Sequence, residues 1–423
     1  MKRLLLAFVV GISVFTFNCR TGNGEPARWR PGVDDTLPNK EFPQQNGNIN
    51  GIKPNNISQA EMDQSIKDFY DYWLPRYVKG ARYYNGCYVE MNGTGGGENQ
   101  ITTSEAHGYG MIIFVLMAGY KNNAKSYFDG MYEMYDTHRS IEDDDLMAWG
   151  IDAPHETVDP TDGDSATDGD MDIAYALLLA DAQWGSNGKI NYKAEAKRII
   201  DEGIRKSEVN STTRRIMLGD WDTDPYTTRS SDWMTGHFEA FKSVSDYDSV
   251  WNNLRSKVFD MVTSLTTNYS PTPGLMPDFV KNNTPTPASP DEFECENDGK
   301  YYYNACRFPW RMAADYVHYG TPSAKSACDR IVNWLKNKYP DPADIESGFE
   351  LDGDVISQCE YQDLSFMAPF IAATVCNSAN QSYLNSGWHE MIQTHNRDTY
   401  FGDTLNLLSM LLISGNWWAP PQP

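Results

Sequence analysis

Four stretches of the chain gather side chains that can give and take protons. In Thr102-Thr103-Ser104-Glu105-Ala106-His107-Gly108-Tyr109-Gly110-Met111 a carboxylate stands at the mouth of an apolar run over 112–118. Residues 159–172 hold Asp159, Asp162, Asp164, Asp168, Asp170 and Asp172. Residues 219–226 hold Asp220, Trp221, Asp222 and Asp224, and run on to Ser231-Asp232-Trp233. Residues 291–307 hold Glu292, Glu294, Glu296 and Asp298, then Tyr303-Asn304-Ala305-Cys306-Arg307. Carboxyl groups paired beside Trp and Tyr suit glycoside hydrolysis, which needs one protonated acid for the leaving oxygen and one carboxylate for a water or the sugar. Other chemistry fits less well. A calcium loop of EF-hand type starting at Asp164 has Gly169 in sixth place, but Ala166 stands third and Tyr175 twelfth, where ligands are required. No Gly-x-Ser-x-Gly elbow marks a serine nucleophile. No metal or cofactor is expected. Each acid also has a plain structural explanation, since carboxylates complement the dipole of a helix's first turn.

Rigid elements must bring these stretches together. Amphipathic segments at 59–77, 123–138, 192–206, 247–267, 323–338 and 381–394 alternate with apolar ones at 105–120, 171–184, 232–244, 307–319, 364–376 and 404–414. In the first, Ile66, Phe69, Tyr70, Trp73 and Tyr77 recur at helical spacing. A helix that is apolar on every side must be buried, whereas an amphipathic one keeps a wet face. Six of each predict an all-α (α/α)6 barrel, with an inner ring of buried helices wrapped by an outer ring. The loops entering the inner helices then line one end of the barrel. Those are the loops rich in carboxylates and aromatics.

Composition narrows the setting. A net charge of −23 argues against nucleic-acid binding, which needs Lys and Arg to neutralise phosphates. The 12 Trp and 25 Tyr offer flat faces for sugars as well as core packing. Residues 1–19 read as a secretion signal, charged at Lys2-Arg3 and apolar from Leu4 to Phe17. Cys19 follows directly and is a possible lipid anchor; no segment is long enough to be transmembrane, which takes about 20 apolar residues. A secreted, cell-surface or periplasmic bacterial protein is expected, and nothing suggests more than a monomer. Residues 20–57, rich in Gly, Pro and Asn, read as a flexible tether, leaving 58–418 as the catalytic domain. Six cysteines remain beyond Cys19, an even set that favours one to three disulfides in an oxidising compartment.

Several of these motifs resemble family 8 glycoside hydrolases. Ser104-Glu105-x-x-Gly108-Tyr109-Gly110-Met111 resembles the segment bearing the catalytic acid, and Ala166-Thr167-Asp168-Gly169-Asp170-x-x-Ile173-Ala174 resembles the family signature. Leu146-Met147-Ala148-Trp149, Ser231-Asp232-Trp233, Gly274-Leu275-Met276-Pro277-Asp278 and Tyr303-Asn304-Ala305-Cys306-Arg307 follow in the family's order. The resemblance implies the same (α/α)6 barrel, inversion at the anomeric carbon, and β-1,4-linked glucan, xylan or chitosan as substrate. It makes Glu105 the general acid and Asp168 a residue holding the sugar at the cleavage point. It places Tyr303, Arg307 and Tyr109 around that sugar, with Trp149 and Trp233 as sugar platforms. Asp170 and Asp172 are expected to cap and orient.

The base departs from the best-known branch, in which an Asp stands where this chain has Asn304. An amide cannot take a proton from water. A second branch with Asn here is implied to take its base from the preceding loop, and ten positions upstream lies Glu294. Glu292, Glu296 and Asp298 are the alternatives. Cys295 and Cys306 flank this loop and could bridge it. Inversion implies roughly 6.5–9.5 Å between Glu105 and Glu294. The acidic charge places chitosan, a polycation, slightly ahead of cellulose or mixed-linkage glucan, with xylan behind. A binding-only surface lipoprotein, or a lyase on a similar toroid, are the readings of other classes.

Overall fold

The computed structural model describes residues 26–44, 50–91, 99–159, 161, 163–393 and 399–421. The expected secretion signal and Cys19 lie outside them. In chain order the helices are α1 (Gln59–Tyr77), α2 (Ser104–Leu116), α3 (Ala124–Thr137), α4 (Thr167–Trp184), α5 (Tyr192–Arg198), α6 (Thr235–Phe241), α7 (Asp248–Asn268), α8 (Phe308–Tyr319), α9 (Pro322–Lys338), α10 (Leu364–Ala373), α11 (Gln381–Ile392) and α12 (Tyr400–Ile413). α5 continues as a wider π-type turn through Ile199–Glu208.

The even-numbered helices are enclosed almost all round, and the odd-numbered ones bury a single stripe. Each even helix packs on the next, and α12 returns to α2, so six inner helices close a ring. Each odd helix backs onto one of them from outside. This is the (α/α)6 barrel expected from the hydrophobic periods. Large side chains such as Trp73, Trp233, Trp251 and Trp310 are fully buried in it, each worth about 2 kcal/mol or more of apolar transfer. Short antiparallel ribbons dress the loops. Gln100–Thr103 pairs with Gly150–Asp152, and Phe279–Lys281 pairs with both Thr228–Arg229 and Thr286–Pro287.

α2 and α4 approach unusually closely. A Cβ on Gly169 would fall 2.3 Å from Ser104 Oγ, and one on Gly108 only 2.4 Å from the Asp172 Cβ. These two glycines let the helices carrying Glu105 and Asp168 lie side by side.

Two expectations need correction. Residues 26–44 and 50–57 are not a free tether but a strap across the far end of the barrel. Phe42 N donates to Ala118 O beyond α2, Asn39 N to Gln183 O of α4, and Ile52 N to Val375 O beyond α10. Asn50 Nδ2 donates to Val317 O of α8. The last carbonyls of a helix lack partners within it, and the strap supplies them. Asp34 also caps α3 from outside, accepting from Lys125 N and Ser126 N. The expected disulfides are likewise absent: Cys87, Cys295, Cys306, Cys328, Cys359 and Cys376 are free thiols. Cys306 Sγ is buried and donates to the Tyr303 carbonyl oxygen at 3.1 Å.

Candidate active site

The inner helices all begin at the end opposite the strap, and each delivers a polar group there. Glu105 is the second residue of α2 and Asp168 the second of α4. Asp232 precedes α6, Arg307 directly precedes α8, Asp363 caps α10, and Tyr400 opens α12. The α2 cap is Thr103, whose hydroxyl accepts from Ala106 N.

Arg307, almost fully buried, ties this ring together. Its Nη1 donates to Glu105 Oε2 at 2.6 Å, to Asp168 Oδ2 at 2.7 Å and to the Tyr109 hydroxyl at 3.3 Å. Its Nη2 donates to Asn304 Oδ1 at 2.8 Å. The Tyr400 hydroxyl donates to the other oxygen of Glu105 at 3.0 Å. Burial raises the Glu105 pKa above the ordinary glutamate value; Arg307 opposes this, the Asp168 charge adds to it, and the Tyr400 bond opposes it. For Asp168 burial is overcome by Arg229 and Arg307, which hold its carboxyl below the usual range. Two adjacent carboxyl groups are thus pushed apart, one toward the protonated form and one firmly ionised. That is the signature of an acid with its electrostatic partner.

The second carboxylate approaches from the loop ahead of α8. Glu294 Oε2 accepts from Asn304 Nδ2 at 2.9 Å, and its Oε1 lies 3.9 Å from Arg229 Nη1. Arg229 also donates to Asp168 and Asp232. Asp298 shapes the loop by accepting from the main-chain N–H groups of Phe293, Glu294 and Cys295. Asp278 accepts from the N–H groups of Tyr302, Asn304 and Ala305. Burial pushes Asp278 up to about 7, opposed by those N–H groups and assisted by the Glu294 charge. Of the alternative acids, Glu292 is bound to Lys281 and Ser289 N, Glu296 faces solvent, and Asp298 is buried under its three donors.

A cleft of about 340 Å³ runs past this group, lined by Trp149, Ala166, Trp221, Arg229, Phe293 and Glu294 among others. Trp221 is 48% exposed and Phe293 37%. On the other side Tyr303 is half-buried, its hydroxyl bonded to Tyr361 and Asp363. Trp149 lines this cleft. Trp233 does not: it is fully buried, packed edge-on to Phe308, with its indole N–H on Thr228. Tyr109 is also fully buried and meets only Arg307 at its hydroxyl. Asn304 has its amide fully engaged by Glu294, Asp278 and Arg307, so it orients neighbours rather than offering a free group. Asp168, too, has its oxygens taken, by Arg307, Arg229 and Gly169 N.

Beneath this layer lies a second. Asp172, one turn below Asp168, binds both terminal nitrogens of Arg311 and His237 Nε2. Asp170 accepts from Met147 N, and Glu208 accepts from Ser165 Oγ. These two acids are buried against each other, and the Asp170 carboxyl is pushed well above its ordinary value by burial and then by the Glu208 charge. Burial raises Glu208 to about 8.

Sequence reading missed Arg229, Phe293, Asp363 and Tyr400, and placed Trp221 among the rim residues without giving it a role. Tyr400 had a usable signal, because it opens an inner helix as Glu105 nearly does. Arg229 had none, since it lies in a two-residue strand without periodicity.

The barrel, with its acids gathered at the mouths of the inner helices, is the frame of a glycoside hydrolase. The chain belongs to the glycosyl hydrolases family 8, whose family model matches residues 84–415. It is 42% identical over 389 residues to a β-glucanase of Niallia circulans, covering 90% of this chain and 92% of that one. It is 41% identical to an endoglucanase of Bacillus sp. (strain KSM-330), covering 90% of this chain and 82% of that one. Among solved structures, a β-1,3-1,4-glucanase from Paenibacillus sp. X4 superposes with a TM-score of 0.85 at 42% identity, covering 90% of this chain and all of that one.

Proposed function

We propose that this chain is an endo-acting β-glucan hydrolase, cutting β-1,4-linked or mixed-linkage β-1,3-1,4-glucan, with Glu105 as general acid and Glu294 as general base. The observation that carries the reading is the linkage Glu105–Arg307–Asn304–Glu294. A guanidinium and an amide separate the two carboxyl groups, leaving room for a water between base and sugar, as inversion requires. Glu105, whose hold on a proton is strengthened by burial, gives its proton to the glycosidic oxygen. Glu294, open to solvent, takes a proton from the water that attacks the anomeric carbon from the opposite face. Arg307 steadies the charge that develops on Glu105, while the ionised Asp168 disfavours that charge and so favours the proton-bearing form before transfer. Trp149, Trp221 and Phe293 are the flat faces for the glucan.

Glucan replaces the initial preference for chitosan. Relatives of more than 40% identity bear glucanase names. The rim acids are also largely spent on internal pairs: Asp168 and Asp232 on Arg229, and Glu292 and Asp224 on Lys281. Residues 1–19 support export of the enzyme.

The test is reducing-sugar release from lichenan, carboxymethylcellulose, chitosan and xylan, with the anomer of the new end followed by NMR. Release of the α-anomer from lichenan or cellulose is expected, lost in Glu105→Gln and Glu294→Gln. Chitosan as sole substrate would overturn the glucan reading, and a β-anomer would overturn the mechanism.

A further inference from the structure

The proposed base hangs on a loop, its side chain 53% exposed, and yet it must hold one water in register with a sugar. What fixes it is one hydrogen bond, from Asn304 Nδ2, with the Arg229 guanidinium 3.9 Å from its other oxygen. An amide can flip end for end, and a flipped Asn304 would turn its oxygen toward Glu294, carboxylate against carbonyl. Two neighbours forbid this. Arg307 Nη2, a donor only, demands the oxygen on its side at 2.8 Å. Asp278 Oδ2, an acceptor, demands the nitrogen on its own side at 3.3 Å. The same Asp278 carboxylate pins the main chain around the amide, accepting from Tyr302 N at 2.9 Å, Asn304 N at 3.1 Å and Ala305 N at 2.7 Å. It is buried and has no route to substrate.

We propose that Asp278 is a positioning residue for the base: through Asn304 it sets the orientation of the Glu294 carboxylate and hence the place of the attacking water. The inference rests on the assignment of Glu294 as base. Asn304 serves in both directions, with its nitrogen aligning Glu294 and its oxygen aligning Arg307, which in turn holds Glu105. One buried aspartate thereby keeps the acid and base arms in a common frame.

The experiment compares Asp278→Asn with wild type and Glu294→Gln on lichenan, reading kcat, KM and the pH profile of kcat/KM. Misplacing a reacting group by about 1 Å costs on the order of 100-fold. The expected result for Asp278→Asn is a kcat lower by about 10- to 100-fold with KM changed less than about threefold. The acidic limb of the profile, governed by the base that Asn304 touches directly, moves more than the alkaline limb, governed by Glu105, which is reached only through Arg307. An unchanged kcat and acidic limb beside an inactive Glu294→Gln overturns the positioning role and leaves the base in place. An active Glu294→Gln overturns the base itself. Should circular dichroism show that Asp278→Asn has lost its fold, Asn304→Ala is read instead. It keeps the Asp278 main-chain bonds and removes the amide's links to Glu294, Asp278 Oδ2 and Arg307, and an unmoved acidic limb there overturns the proposal.

Discussion

The two carboxyl groups assigned to catalysis are housed in opposite ways. Glu105 sits in the first turn of a helix walled in by the barrel, with one oxygen on Arg307 and the other on Tyr400. Glu294 sits on a loop, half in solvent, with one amide donor. The difference follows from the two tasks. A group that must hold a proton near neutral pH profits from burial, which disfavours its charged form. A group that must strip a proton from water has to stay charged and reachable. The wall supplies the first environment, and only a loop supplies the second.

Substitutions can break this contrast at either end. Removing the acid is the largest step: Glu105→Gln is expected to lower kcat on lichenan by about 1,000-fold or more, at the upper range of acid–base effects. Arg307→Met comes next. It removes the cation that opposes proton binding at Glu105, so the alkaline limb of the pH–activity profile should move to higher pH while kcat falls about 100-fold. A change with pH in the opposite quarter concerns stability. Glu208 has a folded pKa of about 8, above its unfolded value, so its contribution is complete below about pH 4.5 and is lost as pH rises through 8. Thermal melts should therefore show Tm falling from pH 5 to pH 8, and Glu208→Gln should flatten that slope. Trp221→Ala, at the open cleft, should raise KM several-fold with kcat nearly kept, as the loss of one aromatic contact of about 1 kcal/mol implies. Tyr400→Phe is the smallest. It removes one of two donors to Glu105, and a rise of the alkaline limb by a few tenths of a pH unit, with kcat down about twofold, would show the wall to be redundant.

Legibility from sequence tracked local order. Glu105, Asp168 and Arg307 each sit at or directly before the mouth of an inner helix, where an apolar period starts and a carboxylate or cation stands out. Tyr400 escapes because the apolar run of α12 starts at Thr404, four residues after the helix begins. Trp233 was misjudged for the converse reason: a loop tryptophan looks the same in sequence whether it faces a sugar or Phe308. The cysteine count suggested bridges, but parity says nothing about where sulfurs point. The strap was invisible because its partners are carbonyls at the ends of helices far along the chain. No period within residues 26–57 reports them.

That strap has a consequence for how the molecule comes apart. Its bonds join residues 267 positions apart at Asn50–Val317 and 330 apart at Asn55–Asn385. Loops of that length close only after the helices at both ends are in place. A ring built of helical hairpins could fray one pair at a time, as stacked repeats do. Here the first residues of the domain are bolted to its middle and its end, so loss of one sector loosens the rest. The barrel is latched into a single cooperative unit, and hydrogen exchange in α4 and α10 should slow and quicken together.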